Sequence, residues 1–142
     1  MIEHTATVHL NRPVEQVFAF VSDTHNLHTW QSNLIESQQL SAGPIQAGTR
    51  IREVRRLGRR PSQIEAEMTV FELNKRFATQ TVTKPSVMVS YEFEAEDGGT
   101  RLTYTFTMLT HGMMWLLQPL IAGAIKRQTR SDFQRLKHVL KG

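Results

Sequence analysis

Residues 87–108 read VMVSYEFEAEDGGTRLTYTFTM. In the first half Val87, Val89, Tyr91 and Phe93 alternate with Met88, Ser90, Glu92 and Glu94. In the second, Leu102, Tyr104, Phe106 and Met108 alternate with Arg101, Thr103, Thr105 and Thr107. A period of two puts each apolar set on one face of a strand. Asp97-Gly98-Gly99 between them reads as the hairpin turn, because Asp and Gly tolerate positive φ. The segment predicts two antiparallel strands with one apolar face, and that face needs a cover.

The same pattern extends toward the N-terminus. Ile64, Ala66, Met68 and Val70 alternate with Glu65, Glu67 and Thr69. Further strands are expected near 34–40, 49–57 and 77–82, with turns at Gly43-Pro44, Gly48, Gly58 to Pro61 and Asn74-Lys75. Ile2, His4, Ala6, Val8 and Leu10 alternate with polar residues and read as a first strand, which stops at Asn11-Arg12-Pro13. Pro13 suits the first helical position, where its missing N–H costs nothing. Val14, Val17, Phe18 and Val21 then follow helical spacing. Ser22-Asp23 and Asn26 end that helix or cap a second short one reaching Trp30.

Toward the C-terminus a long helix follows Gly112. Leu117, Ile121, Ile125, Thr129, Phe133, Leu136 and Leu140 fall roughly on one face. Lys126, Arg127, Arg130, Arg135 and Lys137 lie mostly elsewhere, and cations late in a helix suit its dipole. Pro119 is expected to start or kink it. The apolar run 113–125 contains Gln118 and Pro119 and is shorter than the ~20 residues a spanning helix needs, so a buried helix is expected there.

The bulk numbers agree with an ordinary globular chain. Its 142 residues are 39% hydrophobic and 21% charged, which excludes disorder and a membrane-embedded chain, and one domain over 1–142 is expected. There is no cysteine, so disulfides, thiolate catalysis and thiolate metal sites are excluded. The first ten residues lack a basic leader followed by an apolar run, and a cytoplasmic location is expected. The net charge of +4 is a mild excess.

The element order is strand, two short helices, six strands, long helix. That order predicts an α+β fold in which a curved antiparallel sheet of about seven strands wraps around the long C-terminal helix. The two short helices after strand one plug one end, and a gap between sheet and helix is the natural ligand pocket.

Several local signatures carry a resemblance. They are Asn11-Arg12-Pro13-Val14-Glu15-Gln16-Val17-Phe18-Ala19-Phe20-Val21-Ser22-Asp23 with Asn26 and Trp30, then Gly48-Thr49-Arg50, then Gly98-Gly99-Thr100-Arg101-Leu102-Thr103-Tyr104. Pro119-Leu120 and Arg135-Leu136-Lys137 complete the set. With this element order the chain resembles the START-like (SRPBCC) superfamily, and within it the polyketide cyclase/dehydrase-like group. The resemblance implies a helix-grip fold and a central cavity for a small hydrophobic molecule that is lipid-, polyketide- or aromatic-like. Some members of the superfamily are enzymes and others only bind or transport. No universal catalytic motif exists to carry over, so the resemblance names no catalytic residue and leaves open whether a reaction is catalysed.

Strand phase points to the ligand-binding candidates. If Ile51 faces inward, so do Glu53 and Arg55, an acid and a base on one inner face. Tyr91 and Tyr104 share the inward phase of their strands, and a buried tyrosine seeks a hydroxyl partner. Trp30, after the short helices, is placed at the cavity mouth, and His111 beside Gly112 near the pocket. His25 and His28 stand three apart with no third ligand, so no metal and no cofactor is expected. Arg50, Arg52, Arg55, Arg56, Arg59 and Arg60 crowd one hairpin. Without interleaved aromatics they do not read as a nucleic-acid module, and Glu65 and Glu67 can neutralise part of the set. A binding module is the leading function. The alternatives are a cyclase or dehydratase using the same cavity, and an interaction protein using the arginine hairpin. Oligomeric state is not legible.

Overall fold

The computed structural model describes residues 1–57, 59–82, 85–110 and 112–141. Strand β1 (Ile2–Leu10) is followed by helix α1 (Val14–Ser22) and a 3-10 turn at Leu27–Thr29. Six strands come next: β2 (Leu34–Gln39), β3 (Arg50–Leu57), β4 (Arg60–Glu72), β5 (Arg76–Thr81), β6 (Val87–Glu96) and β7 (Gly99–Met108). A 3-10 segment, Gly112–Leu117, leads into the long helix α2 (Gln118–Leu140). The strands form one seven-stranded sheet in the order β1-β7-β6-β5-β4-β3-β2. Every neighbouring pair is antiparallel.

Several boundaries differ from expectation, each for a local reason. Pro13 precedes α1 instead of opening it. It is extended (φ −60°, ψ 151°), and its carbonyl accepts from the amides of Gln16 and Val17. The expected second short helix is only a three-residue 3-10 turn. The Asp23 carboxylate accepts from the His25 amide at 2.9 Å, closing a tight turn that competes with helix. Arg60 and Pro61, expected in a turn, belong to β4, where they pair with Leu57 and Arg56; Gly58 lies outside the described residues. Pro61 is tolerated so close to the strand's start. Gly99 likewise belongs to β7, opposite Glu96. The turn is Asp97-Gly98 alone, with φ of 51° and 79°, the two positive values a type I′ turn needs. Gly99 matters for a different reason. A Cβ there would collide with the Leu10 carbonyl, so its absence lets the end of β1 close on β7.

The inner face of the sheet is packed most tightly at one end. Leu10, Leu102, Phe93, Phe77, Met68 and Ile51 join Val17, Phe18 and Val21 of α1 and Phe133, Leu136 and Leu140 of α2 in one buried cluster. Phe18 is the plug. Its ring meets Phe71, Phe77 and Phe93 edge-on at 5.5, 5.9 and 5.1 Å. Each such pair adds about 0.5–1.5 kcal/mol to the area it buries. Burial then falls along the sheet. On β7 Leu102 is fully buried, whereas Tyr104, Phe106 and Met108 are only half-buried. The grip is closed where α1 sits and looser at the opposite end.

Pro119 starts α2 and does not kink it. The buried stripe of α2 is shorter than its sequence period implies: Thr129, Asp132, Phe133, Leu136 and Leu140 are buried, while Ile121 and Ile125 are half-buried. Leu117 does not join them, and the buried helix expected over 113–125 is not found. Met113, Trp115, Leu116, Leu117 and Leu120 are between 53% and 78% exposed. Gln118 donates to the Met1 carbonyl at the very start of β1. The segment before it therefore lies beyond the strand ends, with no sheet beneath.

Candidate functional site

Alternation along β3 places Ile51, Glu53 and Arg55 on the inner face, and Ile51 is buried in the core. Arg55 folds back along its own strand, and its Nε donates to Glu53 Oε1 at 2.9 Å. The side chains are only 20% and 16% exposed. The guanidinium donates at its other end to Asn33 Oδ1 at 2.9 Å and Gln31 Oε1 at 2.8 Å. Gln31 in turn donates a long 3.4 Å bond to the Tyr91 hydroxyl. The chain after the 3-10 turn is held in place for this. The amide of Gln31 bonds back to the Leu27 carbonyl, and Asn33 accepts from the amide of Arg56 on β3.

The tyrosines continue the cluster. Tyr91 stacks on Phe77 at 4.7 Å and lies 5.2 Å from Tyr104. Tyr104 lies beside Thr129 and meets the Phe133 ring edge-on at 5.6 Å. Trp30 lies 6.2 Å from Phe133. It is buried in the core and not at a mouth, and its indole N–H has no acceptor among the described residues. The structure thus gathers Glu53, Arg55, Tyr91 and Tyr104 into one cluster, with Trp30 behind Phe133. His111 lies outside the described residues.

Sequence reading missed the other polar members. Asp132 accepts from the Ser32 amide at 3.2 Å, the Ser32 hydroxyl at 3.3 Å and Gln128 at 2.9 Å. A signal for it existed, since Asp132 stands three after Thr129 and four before Leu136, within the buried stripe. Gln31, Asn33 and Ser32 carried none, because their loop gains its meaning only from what it docks on.

Burial sets the charge states. It pushes the Tyr91 phenol well above its usual range, with Tyr104 adding to the rise and Arg55 opposing it. Tyr104 is raised for the same reason, again against Arg55. Both phenols stay neutral at physiological pH. For Arg55 burial pulls downward, but Glu53 more than compensates, so the guanidinium is held above its usual value. Burial raises the Asp132 carboxyl, against the hydrogen bonds from Ser32 and Gln128.

Room remains beside this cluster. The space expected between sheet and helix is filled by aromatics near α1, but a groove of about 360 Å³ opens along the seam of β1 and α2. Its sheet wall includes the inward residues His4, Ala6 and Val8, and its helix wall Lys126, Thr129, Arg130, Phe133 and Lys137. Thr129 and Phe133 are also the neighbours of Tyr104, so one layer of side chains separates groove from cluster. Among the described residues three cations and no acid line it, and burial together with Lys126 lowers the pKa of His4. Among the described residues no group of three His, Asp or Glu side chains converges as a metal site.

The arginine hairpin is divided. Arg50 pairs with Glu67 at 3.0 Å, Arg52 bonds Gln38, and Arg55 turns inward. Arg56, Arg59 and Arg60 are exposed.

A seven-stranded antiparallel sheet gripping a C-terminal helix, plugged at one end, defines a START-like helix-grip protein. The chain belongs to the family described as polyketide cyclase/dehydrase and lipid transport, whose model matches residues 1–141. No curated protein matches the sequence. Among solved structures, TTHA0849 from Thermus thermophilus superposes with a TM-score of 0.82 at 20% identity, over 97% of this chain and 96% of that one. A START superfamily protein from Mycobacterium smegmatis gives 0.79 at 11% identity, over 98% and 97%. The di-domain ARO/CYC BexL of the BE-7585A biosynthetic pathway gives 0.77 at 16% identity, over 97% of this chain and 46% of that one. These likenesses establish the fold.

Proposed function

We propose that residues 1–142 act as one ligand-binding domain that holds a small hydrophobic molecule at the β1–α2 seam, its polar end toward Tyr104. The groove carries this reading: about 360 Å³ of space with Ala6, Val8 and Phe133 in its walls. That volume falls at the small end of the roughly 300–1,000 Å³ usual for ligand pockets, which favours an acyl chain or one or two rings over a larger polycycle. Burying about 200 Å² of apolar ligand surface would contribute roughly 5 kcal/mol before ordering costs. The buried Trp30 indole N–H, which lacks an acceptor among the described residues, is a further donor for ligand or water.

A second reading is an acid–base enzyme of the cyclase or dehydratase kind. The convergence of Arg55 with two neutral tyrosines favours it, since such groups can polarise a carbonyl. Against it, Arg55 already spends its donors on Glu53, Asn33 and Gln31, which suits a supporting wall better than a reaction centre.

Titration with 1-anilinonaphthalene-8-sulfonate, an apolar aromatic anion, tests the groove. Saturable one-site binding is expected, lost in Ala6→Trp and kept in Leu116→Glu. Native mass spectrometry of the purified protein should show a co-purifying hydrophobe that Ala6→Trp also loses. A folded Ala6→Trp protein that binds like wild type would refute the site. Tyr104→Phe separates the two readings, because a binder loses only part of its affinity while an enzyme loses turnover.

A further inference from the structure

We propose that Met113, Trp115, Leu116, Leu117 and Leu120 form a docking face for a lipid bilayer with anionic headgroups, an inference independent of what the groove holds. These side chains project where the chain has run past the strand ends, and nothing among the described residues covers them. A soluble chain seldom leaves such a cluster uncovered without a use for it. Trp115 adds an amphipathic ring of the kind that settles at a membrane–water boundary.

Charge identifies the occupant. From Leu109 to Ser131 the sequence holds no Asp or Glu, but it holds Lys126, Arg127 and Arg130. The next acid, Asp132, is buried against Ser32 and Gln128. Arg127 follows Leu120 by seven residues, so both lie on the outward side of α2, about 10 Å apart along its axis. Only Gly123 and Ala124, small and exposed, stand between them on that side. An apolar tip with cations about 10 Å behind it matches the depth of an interfacial element, whose apolar side chains sink about 5–10 Å while its cations meet the headgroups. A second copy docking through the same face would bring Lys126, Arg127 and Arg130 of both copies toward one another, which repel. An anionic bilayer neutralises them.

Trp115 is its own reporter, since the other tryptophan, Trp30, is buried. The test is flotation of the full chain with phosphatidylglycerol vesicles and with phosphatidylcholine vesicles, alongside tryptophan emission. Binding to phosphatidylglycerol at least tenfold tighter than to phosphatidylcholine is expected, with a blue shift. Raising salt from about 0.1 M to about 1 M should remove most of it, as the screening length falls from roughly 10 to roughly 3 Å. Leu116→Glu with Leu120→Glu should weaken binding at least tenfold with an unchanged circular dichroism spectrum, and Arg127→Glu should weaken it several-fold. No flotation with anionic vesicles, or equal flotation of the double variant, overturns the proposal. So does a concentration-dependent dimer in ultracentrifugation that Leu116→Glu dissolves, which would assign the face to a second copy.

Discussion

Replacing Arg55 with methionine keeps the apolar stem and removes a charge and three hydrogen bonds. Glu53 is left with its carboxylate only 16% exposed and without its cation. The acceptor oxygens of Gln31 and Asn33 lose their donors too. Charge centres about 4 Å apart attract by about 4 kcal/mol at an effective dielectric constant near 20. The remaining fifth of wet surface reduces this, and breaking one side of a buried pair elsewhere costs about 3–5 kcal/mol. Arg55→Met is therefore expected to destabilise by about 3 kcal/mol, and Glu53→Gln by about 2. The double variant leaves no stranded charge and is expected to cost no more than Arg55→Met alone, a coupling of at least about 2 kcal/mol. Urea melts with unchanged slope measure this, and a 3 kcal/mol loss moves the midpoint by about 1–3 M. A loss below about 0.5 kcal/mol for Arg55→Met is what an exposed pair gives. Either that result or strict additivity would refute the buried cluster.

Three further outcomes follow from the same geometry. Asp132 has a raised folded pKa, so between its ordinary 3.8 and that raised value the folded state holds the extra proton and wild-type stability rises as pH falls. Asp132→Asn keeps an acceptor for Ser32 and should be at least as stable as wild type near pH ~7, its advantage shrinking toward pH ~4; an advantage that grows on acidification contradicts this. His4 should titrate below 6.5 by NMR and move upward in Lys126→Ala, because burial and Lys126 both disfavour its cation. Its stabilising share is then present above the unfolded pKa and lost as pH falls through the folded one, and an unmoved His4 in Lys126→Ala removes Lys126 from the groove wall. Gly99→Ala should cost about 2–4 kcal/mol by thermal melts, since the new methyl meets the Leu10 carbonyl, which β1 cannot move without giving up its pairing to Thr100; a change below about 0.5 kcal/mol shows that β1 can give way there.

Period-two alternation in four runs, the Asp97-Gly98 turn and a long terminal helix were enough to read seven strands and a helix-grip fold from the chain alone. The inward phase of Glu53, Arg55, Tyr91 and Tyr104 was legible for the same reason, because a strand's side-chain period ties each residue to its neighbours two away. Side-chain identity at one position cannot report what a distant segment brings to it. Gln31 and Asn33 became partners of Arg55 only when the loop after Trp30 docked on β3. Asp132 became a buried acid only when α2 packed over Ser32. The period of α2 likewise placed Leu117, Ile121 and Ile125 on one stripe with Phe133, but where that stripe is covered depended on where β1 and β7 end. Local periodicity sets which way a side chain faces, and only tertiary packing decides whether anything is there to meet it.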